Sequence, residues 1–202
     1  MELEIHRGIM SKRLHGTLTY LIPLTLQDLE DQLINPQKIA KRYQLNGALE
    51  TPDEHMIKIL EIKLAKMKSE PEQAVFSTYF LIVEKDHHEI LGTIGYKGAP
   101  DEDGTIEVGY GIRPSFREKG YMTDALKAFT EFGLTLPGVK KIVACTSKDN
   151  AASIRVLEKT GYKRIYTAQD LYVWRFPAHL HTEFEAEPGH NPLNQMELSN
   201  EA

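Results

Sequence analysis

The chain has 202 residues, a formal net charge of −5, 41% hydrophobic residues, one cysteine and one tryptophan. That length suits one domain, or at most two small ones, with a real core, and 26% charged residues beside ample apolar ones excludes disorder throughout. Cys145 alone excludes a disulfide scaffold and fits a reducing cytoplasm, no apolar run approaches the roughly 20 residues that span a bilayer, and Met1 to Arg13 lacks a signal-peptide apolar stretch.

In chain order, His15 to Leu24 reads as a first strand with Leu18, Tyr20 and Ile22 on one face. Thr25-Leu26-Gln27-Asp28 is a capping-box pattern that opens a short helix carrying Leu26, Leu29 and Leu33. Asn35-Pro36 starts a second short helix to about Gln44, and Asn46-Gly47 turns the chain. Thr51-Pro52-Asp53-Glu54 starts a third, with Ile57, Leu60, Leu64 and Met67 at helical spacing to about Lys68. Val75 to Lys85, Ile90 to Lys97 and Thr105 to Ile112 are then three strands on short turns, an antiparallel meander.

Met122 to Leu136 is helical, with Ala125, Leu126, Phe129 and Gly133 on one face, and Pro137-Gly138 stops it. Lys140 to Thr146 is a short, mostly apolar run, as expected of a buried strand. Asn150 to Thr160 is a helix that Gly161 ends in a left-handed cap. Lys163 to Tyr166 and Leu171 to Phe176 close a hairpin. The order predicts an α+β domain: one mixed, mainly antiparallel sheet with helices on both faces.

The predicted organisation is an N-terminal extension over 1–14, a domain over 15–177 and an acidic, flexible tail over 178–202. The last basic residue is Arg175, and residues 176–202 carry five glutamates. Removing those five from the 29 acidic residues leaves 24 against 24 basic ones, so the body is neutral. A neutral body argues against nucleic acid as the main partner. The acidity of the tail is equally poor evidence for a polycationic substrate.

The chemistry is expected between Arg113 and Thr123, in a loop that joins a strand to a helix start. Such a loop aims successive backbone N–H groups and the positive end of a helix dipole at one place. Gly120 can take the positive φ that an N–H cradle needs, and Arg113, Arg117 and Lys119 add positive charge. The physics describes a phosphate or pyrophosphate seat; an ordinary turn is the alternative. Glu107 alternates with Ile106 and Val108, so it leaves the face those two pack against, and Gly109 and Gly111 follow on its side. Its carboxylate is a candidate general base, or else a solvated strand carboxylate.

Ile106 to Ala125 (I-E-V-G-Y-G-I-R-P-S-F-R-E-K-G-Y-M-T-D-A) resembles the acetyl-CoA-binding core of the GNAT superfamily of N-acetyltransferases. The family's loop motif, Q/R-x-x-G-x-G/A, is met by Arg117, Gly120 and, less well, Met122. Asn150 to Tyr162 (N-A-A-S-I-R-V-L-E-K-T-G-Y) is similar to the second motif, N-x-x-S-x-x-V-L-E-K-x-G-F/Y, of the branch that holds ribosomal-protein N-terminal acetyltransferases and spermidine acetyltransferases. The resemblance implies a cytoplasmic enzyme that moves an acetyl group from acetyl-CoA, its co-substrate, directly to a primary amine. The acceptor would be a protein N-terminus, a polyamine or a small amine. No metal is expected, since neither the His87-His88 nor the His179/His181 pair has Cys or carboxylate partners at ligand spacing, and no membrane partner, since no apolar run spans a bilayer. The resembled branch makes a homodimer one possible assembly. Acetyl-CoA would be held by Ile112, Arg113, Arg117, Glu118, Lys119, Gly120, Tyr121, Met122, Thr123 and Asn150.

The resemblance places the thiolate's proton donor, often a tyrosine, where Leu157 stands, and offers Ser153 as the substitute. Ser153 is otherwise an early-helix serine bonding a carbonyl, and Asn150 is otherwise a helix cap. Met122, in a position that is usually small, puts a bulky side chain at the start of the helix. The segment Leu26 to Lys68 is where the resembled fold builds its acceptor pocket. Two alternatives stay open: a non-catalytic acyl-CoA-binding module, and another nucleotide-binding α+β protein that uses the 113–123 loop. Cys145 reads as a buried small hydrophobe, and the His87-His88 and His179/His181 pairs read as surface histidines.

Overall fold

The structure, a computed structural model, describes residues 12–177. The expectations for the tail over 178–202 and for residues 1–11 lie outside the described residues. The elements, in order, are β1 (Leu14–His15), β2 (Thr19–Pro23), α1 (Leu26–Ile34), α2 (Gln37–Tyr43), α3 (Glu54–Ser69), α4 (Ala74–Ser77), β3 (Tyr79–Glu84), β4 (Ile90–Tyr96) and β5 (Thr105–Ile112). Then come α5 (Tyr121–Gly133), β6 (Lys141–Ser147), α6 (Ala151–Lys159), β7 (Lys163–Thr167) and β8 (Leu171–Arg175).

Side chains at the helix starts do the capping that the sequence promised. Thr25 accepts from the Asp28 N–H while Asp28 accepts from the Thr25 N–H, a complete capping box at α1. Asp53 accepts from the Met56 N–H at 2.8 Å and opens α3. Gly161 ends the chain segment after α6 with φ +90°.

The eight strands form one sheet in the order β1-β2-β3-β4-β5-β6-β8-β7. Every pairing is antiparallel except β5 with β6. Each face buries its own apolar layer. On one, Phe80, Ile82, Ile94, Ile106 and Val108 pack against Leu126 and Phe129 of α5 and Leu157 of α6. On the other, Tyr20, Ile22, Leu81, Val83 and Ile90 pack against Leu29 of α1, Ile39 of α2 and Leu60 and Leu64 of α3. Helices on both faces, as predicted, follow from strands that are apolar on both sides.

Two predicted strands are shorter than their patterns suggested. The run Val75 to Lys85 does not begin as a strand: Ala74–Ser77 is a helical turn behind a 3₁₀ turn at Pro71–Gln73, and β3 starts at Tyr79. Val75 and Phe76 are β-formers by propensity, yet the turn lets both bury on the α5 face, and packing outweighs propensity. His15 to Leu24 is likewise split, because Asp124 in the first turn of α5 gathers the link between β1 and β2. Its carboxylate accepts from the Thr17, Leu18 and Thr19 N–H groups at 2.7, 3.0 and 2.9 Å and from Thr19 Oγ1 at 2.7 Å. A Cβ at Gly16 would sit 2.2 Å from Asp124 Oδ2, so only glycine fits there. This contact clamps the start of α5 to the sheet edge strands.

One topological detail positions the site. β5 pairs with β6 only over Thr105–Glu107 against Lys141–Val143. Beyond that point β6 stays with β8 and β5 stays with β4. The two strands diverge, and the sheet opens as a fork at Glu107.

Candidate functional site

A cleft of about 700 Å³ lies beside the fork, between the end of β5 and the starts of α5 and α6. Its walls are Tyr110, Gly111 and Ile112 of β5, the loop and first turn of α5, and Asn150, Ser153, Arg155 and Lys159 at α6. Gly120 takes φ +84°, a left-handed conformation, and has no side chain to cap α5. The first N–H groups of α5 therefore lack a side-chain acceptor, and Gly120, Tyr121, Met122 and Thr123 line the cleft. Orphan N–H groups, a helix dipole and the cations Arg117, Arg155 and Lys159 fit an extended ligand that carries phosphates.

Most of the predicted binding residues meet here: Ile112, Arg117, Glu118, Gly120, Tyr121, Met122, Thr123 and Asn150 all line the cleft, with Ser153 beside them. Arg113 and Lys119 are not among the lining residues. The Arg113 guanidinium turns to Glu89 Oε1 at 2.8 Å and the Ile90 carbonyl at 2.7 Å. The Lys119 ammonium lies 5.5 Å from the centre of the Phe116 ring. Met122 is buried in the apolar layer, so its bulk enters the core and not the cleft mouth. Glu118 is itself in the left-handed region at φ +65° and faces Arg155 at 3.7 Å across the mouth.

Asn150 caps α6, its Oδ1 accepting from the Ser153 N–H at 3.0 Å. Ser153 Oγ does not spend itself on a helix carbonyl. It shares a 2.8 Å hydrogen bond with Tyr110 Oη, a partner that sequence reasoning missed. Burial pushes the Tyr110 phenol up to about 12, so it stays protonated and able to donate. Leu157 is fully buried in the core and faces no ligand space. Strand alternation could have placed Tyr110 on the face of Ile106 and Val108, but only packing brings it to α6.

Glu107 stands on the opposite face of the sheet, at the fork and outside the cleft's walls. Its carboxylate is mostly buried, with 12% of the side chain exposed. Lys97 Nζ lies 2.7 Å from Glu107 Oε1, off the hydrogen-bonding directions, so the contact is an ion pair and not a directed bond. The Lys97 N–H donates to the Glu107 carbonyl at 2.9 Å, which makes the two residues cross-strand neighbours. Lys97 was legible in principle, because the hairpin register sets it opposite Glu107. Beyond Glu107 the strand face is bare: a Cβ on Gly111 would meet nothing within 4 Å, and one on Gly109 only Lys97 Cε at 3.9 Å.

Two more groups lie under this face. Cys145 is partly buried, and burial, followed by the Glu107 carboxylate, pushes its thiol up to about 12. A thiol so held is a poor nucleophile. Lys63 of α3 is buried, donates to the Tyr96 carbonyl at 2.7 Å and lies 4.5 Å from the Tyr79 ring centre. Burial, with Lys66 adding, brings its ammonium down to about 7. His87 and His88 engage Glu84 and the Tyr20 hydroxyl. Among the described residues no group of three or more His, Cys, Asp or Glu could hold a metal ion, and no helix is long and apolar enough to cross a membrane.

A split mixed sheet with an N–H-lined cleft beside its fork defines a class of ligand-binding α+β domain. The family model of the acetyltransferase (GNAT) domain matches residues 19–163, and the chain belongs to that family. Curated relatives include the uncharacterized N-acetyltransferase YjdG of Bacillus subtilis (strain 168), 40% identical over 83 residues, which are 41% of this chain and 49% of that protein. The uncharacterized N-acetyltransferase p20 of Bacillus licheniformis is 27% identical over 85 residues, 42% of this chain and 48% of that protein. The chain spans about half the length of the curated relatives it matches.

Solved structures with the same fold include Mycobacterium smegmatis RimJ in complex with CoA-disulfide, at TM-score 0.58 and 16% identity, covering 83% of this chain and 86% of that one. Another is the ribosomal-protein-S5-alanine acetyltransferase from Vibrio fischeri, at TM-score 0.55 and 16% identity, covering 81% and 94%.

Proposed function

We propose that this chain is an acetyl-CoA-dependent N-acetyltransferase acting on a primary amine, with Glu107 as general base. The observation that carries the reading is the fork itself. A cleft suited to phosphates lies along the end of β5, with Gly111 in its wall, and a buried carboxylate stands four residues earlier on the same strand, where β5 and β6 part. The cleft would hold CoA by the Gly120 to Thr123 backbone and by Arg117, Arg155 and Lys159. When bound, acetyl-CoA supplies the activated acetyl group.

The chain's own residues supply the rest. An alkylamine is mostly protonated at neutral pH, so Glu107 removes a proton, directly or through one water. Gly109 and Gly111 let an extended ligand approach β5 closely. The Tyr110–Ser153 pair faces the cleft at 2.8 Å and can deliver a proton to a leaving thiolate. This pair takes over the role that Leu157, in the core, cannot perform.

Two structural neighbours are named for work on ribosomal proteins, which favours a protein or peptide N-terminus as the acceptor. A cytoplasmic location fits the single, unreactive cysteine. The test is acetyl-CoA turnover over a panel of peptide N-termini, polyamines and small amines, beside CoA calorimetry. Turnover on any member supports the reading. Tight CoA binding with no turnover on the panel points instead to a non-catalytic acyl-CoA-binding module.

A further inference from the structure

We propose that Lys97 is an acceptor of its own chain's acetyl transfer, a self-acetylation site at the candidate base. The proposal rests on the N-acetyltransferase reading above. It is carried by where this one ammonium lies: Lys97 Nζ is 2.7 Å from Glu107 Oε1, and its Cε passes 3.9 Å from the position a Cβ would take on Gly109. The lysine stem thus runs over the glycine lane and sets its amine where an incoming acceptor amine would have to reach Glu107. The ion pair is held by no directed hydrogen bond, and the Lys97 side chain is 53% exposed, so its ammonium has open space on the solvent side. An ordinary cross-strand salt bridge accounts for the pair but not for the open space over Gly111 beside the lysine stem.

The step balances with acetyl-CoA as the thioester donor. The Lys97 ammonium gives one proton to Glu107, and the free amine attacks the thioester carbonyl carbon. A C–N bond forms and the C–S bond breaks. The second nitrogen proton ends on the departing sulfur as the free thiol, and Glu107 returns its proton to solvent. The product carries a neutral amide over Gly109 and no cation opposite Glu107, so it should slow transfer to other amines.

The test incubates the full chain with isotopically labelled acetyl-CoA and follows lysine acetylation by peptide mass spectrometry. Lys97 should be labelled at least about tenfold faster than the exposed Lys58 and Lys127, since a positioned base is commonly worth 10² or more. The rate per chain should not change with protein concentration, and Glu107→Gln should bring Lys97 down to the level of the other lysines. Labelling no faster than at Lys58 and Lys127 overturns the proposal, as does a rate that rises with protein concentration or survives Glu107→Gln. The wild-type comparison among lysines needs no variant, so it holds even if Glu107→Gln folds poorly. If amines on the panel turn over while Lys97 stays unlabelled, the self-acetylation proposal alone falls. If neither is acetylated, the enzyme reading falls with it.

Discussion

The two faces of the sheet at β5 are built by opposite means. The cleft face relies on backbone: N–H groups at the start of α5, a left-handed glycine and one neutral hydroxyl pair. The other face relies on side-chain charge: a mostly buried carboxylate, its lysine partner and a second, buried lysine. Backbone donors bind phosphate whatever the neighbouring side chains, so CoA binding at the proposed seat should survive the bulk of Met122 and an Arg113 that turns to Glu89. Charge in a half-buried place depends on single residues, so the Glu107 face should be far more sensitive to substitution.

The sharpest way to break that contrast is Glu107→Gln. The expected loss is 10²–10⁴ in kcat with CoA affinity unchanged by calorimetry, because a general base contributes on that scale. A parallel loss of CoA affinity would show that the faces are not separable.

Lys63→Met is next. The buried ammonium titrates near 7, below the ordinary 10.5. Between those values the unfolded chain carries a proton that the folded one lacks, so wild-type stability rises with pH from about 7 to 10.5. Methionine should remove that slope and raise Tm most near pH 6, by the equivalent of a few kcal/mol, fading towards pH 10. Parallel melting curves for the two proteins across that range would refute it.

On the cleft face, Gly120→Ala has room for its methyl, with Leu18 Cδ1 3.8 Å away, so its cost is the left-handed backbone alone. That predicts about 1–2 kcal/mol of lost stability and about a tenfold weaker Kd for CoA, with kcat at saturation little changed.

The smallest effect is expected from Tyr110→Phe. It should lower kcat by up to about tenfold and stability by about 1 kcal/mol. Because the two hydroxyls share one bond, adding Ser153→Ala should bring little further loss, and additive losses would separate their roles.

Much of the cleft face was legible in the chain. A glycine before an amphipathic helix and an asparagine three residues before a serine are local signals, since the bonds they predict close within one turn: Gly120 at φ +84° and Asn150 on the Ser153 N–H. The alternation of Ile106, Glu107 and Val108 likewise assigned faces correctly, because a strand's period is two. Misreadings came where long-range packing decided. Val75 and Phe76 bury through a helical turn, Asp124 breaks the first strand from 105 residues away, and Arg113 is drawn to Glu89 and not to the cleft.

By itself the sequence determined the helix caps, most of the element order and the two motifs that carry the family, because those signals lie between near neighbours in the chain. Tertiary structure alone decided that β5 and β6 part after Glu107, that Tyr110 meets Ser153 across 43 residues, and that Lys97 lies on the candidate base. Those contacts depend on strand register and on which helix covers which face. No local propensity encodes either, because both are settled by the joint burial of two apolar layers.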